Sequence, residues 1–177
     1  MTNALTPAEQ QARFQRWMRD HAAILYRVAA GFASGVDRDD LMQELLVALW
    51  RAIPAYRGEA GAATFIYRVS HHAALSWKRS ERRRDAWHEG PAALDGIEAG
   101  GGADDGAADR ELLERVYAAI RELPALDRSL VLLSLDGLSH REMALIHGLS
   151  EGNVGVRLHR GRARLALFLK EWIDDPR

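Results

Sequence analysis

Residues 37–53, DRDDLMQELLVALWRAI, form the segment that decides the fold. Residues 37–40 supply a predicted N-cap and first-turn carboxylates, and Pro54 ends the predicted helix. Apolar side chains recur at helical spacing and predict one wide buried face, made of Met42, Leu45, Leu46, Leu49, Trp50 and Ile53. The opposite face is a polar stripe that leaves room for a partner, formed by Asp40, Gln43, Glu44, Val47 and Arg51.

The segments on either side also have helical periodicity. Residues 8–33 place apolar side chains at helical spacing, and a further long helix is predicted from Thr64. Later in the chain, helices are predicted near residues 107–121 and 127–135, with Gly137 just after the second of them. Because no alternating strand pattern or hairpin signal is present, the sequence predicts an all-α protein.

The charge is distributed unevenly. The 177 residues carry a formal net charge of −1. Residues 85–111 hold six glycines and eight carboxylates but one base, so this acidic, Gly-rich stretch predicts a flexible linker at residues 86–106. Two small helical domains follow from it, at residues 1–85 and 107–177. The 150 residues outside the stretch carry 23 bases and 17 acids, so near-neutrality does not argue against DNA binding.

Residues 139–160 have the pattern of a helix-turn-helix. Ser139 and Glu142 form a predicted capping box, Gly148 permits a tight turn, and Ser150 caps a second helix. Asparagine and arginine on the exposed side of that helix suit a major groove, where they pair with adenine and guanine. The alternative is an ordinary helical hairpin with a solvated basic face.

A second basic element lies at residues 64–84, where aromatic and cationic side chains share one predicted helix. Aromatic faces stack on unpaired bases while cations follow phosphates, so the combination is typical of a single-stranded nucleic-acid site. The alternative is that the aromatic residues belong to the core and the cations form a solvated face.

Other functional classes are disfavoured. The chain has no cysteine, His71 and His72 diverge by about 100° on a helix, and His140 and His147 lack a third ligand. No signature of a catalytic site is present, so we expect no catalytic residue, no metal and no cofactor. No signal peptide is visible and the longest apolar run, at residues 45–50, is too short for a bilayer, so we expect no membrane insertion and a cytoplasmic location.

Two sets of residues carry a family resemblance. Residues 37–50, with 56–58 and 64–69, resemble region two of bacterial sigma factors, most closely the compact extracytoplasmic-function (ECF) type. The stretch from Leu123-Pro124 to Ser139, with residues 149–154 and 157–160, resembles region four of the same family. The two matches occur in the family's order, with a linker between them where the family has one.

The resemblance implies a dissociable, non-enzymatic subunit that directs RNA polymerase core to promoters and assists promoter melting. Its partners would be the clamp helices of the largest polymerase subunit, the flap of the second-largest, double-stranded and melted promoter DNA, and an anti-sigma factor. The polar stripe Asp40, Gln43, Glu44, Val47 and Arg51 would bind the polymerase. The minus-ten element would contact Arg57, Thr64, Phe65, Arg68, His71, His72, Trp77, Lys78, Arg79, Arg82 and Arg83. The minus-thirty-five element would contact Ser150, Glu151, Asn153, Arg157, Arg160 and Arg162.

The chain departs from the family pattern at His72, where the family often has asparagine, and at Gly155 and Val156, which replace small polar or basic residues. Two alternatives stay open, and the weakened recognition helix favours the first of them. One is a sigma-like decoy that binds an anti-sigma factor without recognising promoters, and the other is a stand-alone helix-turn-helix repressor. A further hypothesis is that the linker lets the two domains be clamped together in an inactive state.

Overall fold

A computed structural model describes residues 5–87 and 106–174, with side chains over residues 5–83 and 109–170. The described residues contain seven α-helices, one short 3-10 turn at Ile53–Ala55 and no strand, which confirms the all-α prediction. The predicted linker lies almost entirely outside the described residues. The helices are α1 (Pro7–Phe32), α2 (Gly35–Ala52), α3 (Ala62–Trp87), α4 (Gly106–Arg121), α5 (Ala125–Leu135), α6 (His140–His147) and α7 (Glu151–Asp174).

Helices α1, α2 and α3 form the first unit. The predicted cap at residues 37–40 is wrong: α2 begins at Gly35, after Ser34 in an extended conformation. Gly35 has a φ of 53°, which glycine adopts without a Cβ clash, and the chain therefore turns into the helix earlier than predicted. The buried ridge of α2 is Leu41, Leu45 and Leu49, and Ile53 of the 3-10 turn continues it. Met42, Leu46 and Trp50 are half-buried at its border.

Helices α4–α7 form the second unit, and its helix-turn-helix is built as predicted. The Ser139 hydroxyl accepts a hydrogen bond from the backbone N–H of Glu142 (3.3 Å), and the Glu142 carboxylate accepts one from the N–H of Ser139 (2.8 Å). Gly148 has the left-handed conformation, with a φ of 66°, that lets α6 turn into α7. Val154 and Leu158 of α7 are buried and hold it against the rest of the unit.

The Ser139 cap is predicted to contribute to the stability of the protein. Ser139→Ala should lower the free energy of unfolding by about 1 kcal/mol, because the Glu142 N–H loses its acceptor. Urea unfolding measures the loss, and Ser139→Asp, which keeps an acceptor at the cap, should retain most of the stability. Equal losses in the two variants would contradict a capping role.

The two units pack directly against each other and share one hydrophobic core. Gly31 of α1 lies so close to Leu132 of α5 that a Cβ on it would stand 2.5 Å from a Leu132 methyl carbon. The Arg121 side chain donates to the carbonyl of Ala30 at 2.7 Å. The chain is therefore closed, with the helix-turn-helix unit docked on the first unit through α1 and α3.

Candidate nucleic-acid and protein interfaces

The polar stripe of α2 faces solvent. All five predicted residues are exposed, including Val47 at 42%. Gln43 and Glu44 line one side of an open groove, and Trp77 and Arg83 of α3 line the other. An exposed helix face with one apolar side chain among polar ones suits docking of another helix, and it adjoins the basic face of α3.

Most of the basic side chains predicted on α3 are accessible. Arg57, Arg68, His72, Arg79, Arg82 and Arg83 are exposed, and Thr64, Trp77 and Lys78 are half-buried. Lys78 pairs with Glu81, and its ammonium lies 5.9 Å from the centre of the Trp77 ring. Arg68 lies over the Phe65 ring at 5.5 Å. The outer face of α3 therefore offers cations beside an aromatic edge, an arrangement that can follow a phosphate backbone.

Two residues predicted to contact DNA lie in the interior. Phe65 is 6% exposed and packs against the rings of Trp17 and Tyr56, with ring centres 5.7 and 5.1 Å away. His71 is 0% exposed and contacts Ser129 of α5. Neither ring offers a surface to DNA in this structure, so these two assignments are wrong for the closed chain. The reason is that the inner face of α3 is covered by α1 and by the second unit.

The exposed side of α7 is organised by hydrogen bonds. Ser150 accepts from the N–H of Asn153 at 3.2 Å, and Arg157 Nε donates to the Asn153 amide oxygen at 3.1 Å. Arg157 also donates to a carboxylate oxygen of Asp127 at 2.7 Å. Asn153 and Arg157 are thereby held as a pair at the start of the helix. Glu151, Arg160 and Arg162 are exposed on the same helix, and Arg162 donates to the Ser134 hydroxyl at 2.7 Å.

The sequence did not identify three consecutive polar residues of α5 as functional candidates. Asp127, Arg128 and Ser129 are all buried in an otherwise apolar helix. Asp127 orients Arg157, whereas Arg128 and Ser129 face the first unit. Polar residues on the inner face of an apolar helix indicate buried hydrogen bonds, because buried polar groups need partners. That pattern could have pointed to these three residues.

Two further observations concern metal sites and membrane-spanning helices. No group of three histidine or carboxylate side chains able to hold a metal ion occurs in the described ranges 5–87 and 106–174. None of the helices in those ranges is long and apolar enough to cross a membrane.

Comparison with known families and sequences gives matches over both units. Residues 14–84 match Sigma-70 region 2, and residues 113–165 match Sigma-70, region 4. The ECF RNA polymerase sigma-E factor of Escherichia coli (strain K12) is 30% identical over 138 residues, which cover 71% of this chain and 70% of that protein. The ECF RNA polymerase sigma factor SigM of Mycobacterium tuberculosis is 28% identical over 158 residues, covering 88% and 76%.

Two solved structures share the fold. The sigma factor RpoE in complex with the anti-sigma factor NepR from Bartonella quintana aligns with a TM-score of 0.67 and 22% identity, over 89% of this chain and 97% of that one. CnrH in complex with the cytosolic domain of CnrY aligns with a TM-score of 0.62 and 24% identity, over 91% and 90%. With sigma regions 2 and 4 in order along the chain, and with relatives over most of its length, the chain belongs to the ECF group of RNA polymerase sigma factors.

Proposed function

We propose that this protein is a dissociable sigma factor, a non-enzymatic subunit that brings RNA polymerase core to specific promoters and assists their melting. The observation that carries the proposal is the Asn153–Arg157 pair, which Asp127 and Ser150 hold on the exposed side of the second helix of the helix-turn-helix. Side chains fixed at the start of such a helix can read base edges in a major groove. A cytoplasmic location goes with this function.

Four contacts with polymerase and promoter DNA would be distributed over the two units. The α2 stripe would bind the clamp helices of the largest polymerase subunit, and the second unit would contact the flap of the second-largest. The exposed cations of α3 and its neighbouring loop would contact the melted minus-ten element. The residues proposed for that element are Arg57, Thr64, Arg68, His72, Trp77, Lys78, Arg79, Arg82 and Arg83. Phe65 is left out because it packs inside the first unit. The assignment of His71, which the second unit covers in the closed chain, stays a prediction for separated units. Ser150, Glu151, Asn153, Arg157, Arg160 and Arg162 would contact the minus-thirty-five element.

Reconstituted transcription tests the proposal. Purified protein added to a sigma-free RNA polymerase core should yield transcripts that start at discrete promoters, and transcript-start mapping after overexpression should report both promoter elements. Folded protein that fails to bind core would overturn the proposal. Core binding without promoter-specific transcripts would point to a decoy, and promoter binding without polymerase to a repressor.

The α2 stripe gives a prediction for polymerase binding. Glu44→Lys should weaken core binding by about tenfold or more, because it reverses a charge at the centre of the proposed interface. Biolayer interferometry with immobilised core measures the change. Glu122→Lys, the same exchange at an exposed site near the end of α4, should leave core affinity unchanged. A comparable loss of core affinity in both variants would mean that the α2 stripe is not the polymerase-binding surface.

A further inference from the structure

The boundary between the two units encloses three side chains that are hydrogen-bonded to one another: His71 of α3, Ser129 of α5 and His147 of α6. We propose that this cluster, which we call the latch, holds the free chain in a closed form that cannot engage a promoter, and that protonation of its histidines opens the chain. The proposal rests on the proposed function for its consequence in transcription, but the opening itself is a property of the chain alone.

The geometry joins the units through one hydroxyl. Ser129 Oγ contacts His71 Nδ1 on one side and lies 2.9 Å from His147 Nε2 on the other. His71 is completely buried, and the ring of His147 lies edge-on to it, with centres 6.0 Å apart. One first-unit side chain and two second-unit side chains therefore form a continuous polar chain inside an apolar boundary.

The polar chain has one favourable arrangement of protons. His71 Nε2 is buried without a hydrogen-bond partner, which costs less if it is a bare nitrogen than if it is an N–H. His71 therefore carries its proton on Nδ1 and donates to Ser129, whose hydroxyl donates to His147 Nε2. A second proton on His71 would create a buried N–H without an acceptor. A proton on His147 Nε2 would make that nitrogen a donor to Ser129 Oγ, and the hydroxyl hydrogen would then lose its acceptor.

The surroundings also disfavour added charge. Burial, followed by the charges of His147 and His72, lowers the pKa of His71 to about 3, and burial followed by His72 lowers the pKa of His147 to about 4. Arg128 of α5, next to Ser129, adds a permanent cation over the Phe32 ring, which itself faces His71 from α1. The groups around the latch are Phe32 from α1, Tyr67 and His72 from α3, and Arg128 from α5.

The direction of the pH dependence follows from these pKa values. On opening, both imidazoles regain water and an ordinary pKa near 6.5, so the open form takes up protons that the closed form excludes. The closed form is thus favoured above pH 6.5 and loses its advantage as the pH falls toward 4. Between pH 7.5 and 5.5 the ratio of closed to open chains should fall by about a hundredfold.

The closed form cannot span a promoter. The minus-ten and minus-thirty-five elements are separated by about 25 base pairs, which is about 85 Å of duplex. The longest helices, α1 and α3, have 26 residues each and are about 39 Å long. In the closed form, α6 of the helix-turn-helix lies against α3, the helix proposed to contact the minus-ten element. The units must separate for both elements to be bound at once.

Fluorescence energy transfer between the units tests the latch without polymerase or DNA. The chain has no cysteine, so cysteines introduced at the exposed positions Glu59 and His159 would be its only thiols for a dye pair. We expect high transfer at pH 7.5 that declines by pH 5.5, with helix content unchanged by circular dichroism. Transfer that is low at pH 7.5, or constant across this range, would overturn the proposal.

Two variants separate the protonation step from closure. His71→Asn with His147→Gln places amide groups near the hydrogen-bonding ring nitrogens but cannot take up a proton, so this variant should stay closed at pH 5.5. Gly31→Ala should lower transfer at pH 7.5, because its Cβ would meet Leu132 at the boundary; the matched control is Gly152→Ala, where a Cβ meets nothing within 4 Å. Opening of the double variant at pH 5.5 would overturn the role of the histidines.

The same samples distinguish failure of the latch from failure of the proposed function. In transcription with core polymerase at pH 7.5, Gly31→Ala should give at least as many promoter-specific transcripts as the parent, since its units are already separated. Normal transcription with no pH-dependent change in transfer would refute the latch alone. A pH-dependent change in transfer with no promoter-specific transcript from any variant would refute the proposed function alone.

Discussion

Replacing Arg157 and Arg160 together by alanine is expected to lower transcription from a promoter with a minus-thirty-five element by about a hundredfold. Arg157 is held by Asn153 and Asp127 at the start of α7, and Arg160 is exposed one turn later on the same helix. An arginine that pairs with a guanine edge contributes roughly 1–3 kcal/mol, and each kcal/mol is about fivefold in affinity. In vitro transcription with saturating core and limiting sigma factor measures the loss.

The control variant removes the same number of positive charges. Arg16→Ala with Arg19→Ala removes two exposed arginines from α1, outside every proposed DNA surface, and should change transcription by less than twofold. On a promoter whose minus-thirty-five element has been scrambled, the Arg157/Arg160 variant and its parent should be equally weak. An equal loss of transcription in the Arg16/Arg19 variant would mean that the loss reflects the overall positive charge of the protein and not contacts made by α7.

Features of the fold that depend on residues close together in the sequence were predictable. The capping box of Ser139 and Glu142 and the left-handed turn at Gly148 depend on residues within ten positions of one another, so they could be read directly. The polar stripe of α2 was also predictable, because helical periodicity separates it from the ridge that contains Leu45. Composition and periodicity were sufficient for the all-α class and for two helical units.

The inner face of α3 was not predictable in the same way. Periodicity shows that His71 and His72 point about 100° apart, but it does not say which of them faces another element. Ser129 and His147, 58 and 76 positions later in the chain, cover His71 and leave His72 exposed. Contacts of this separation leave no periodic signal, which is why the burial of His71 and the boundary between the units were not predicted.

Arg128→Met should lower the free energy of unfolding of the closed chain by about 3 kcal/mol. Arg128 is 3% exposed, and its guanidinium donates to the carbonyls of Arg121 and Leu123, the latter at 3.0 Å, while it lies over the Phe32 ring. Burial, reinforced by Arg121 and Arg82, lowers its pKa to about 10, so it is still charged at pH 7. Methionine fills a similar volume but leaves buried carbonyl oxygens without a donor.

Urea unfolding at pH 7.5 tests this expectation, and the midpoint should fall with little change in slope because the surface exposed on unfolding is nearly the same. Arg141→Met makes the same exchange at an exposed site on α6 and should cost less than about 0.5 kcal/mol. Arg128→Lys keeps a cation but not the planar fork, and it should fall between the parent and Arg128→Met. A loss below about 1 kcal/mol for Arg128→Met would mean that water replaces the guanidinium, and that the boundary between the units is less dry than the burial of Arg128 implies.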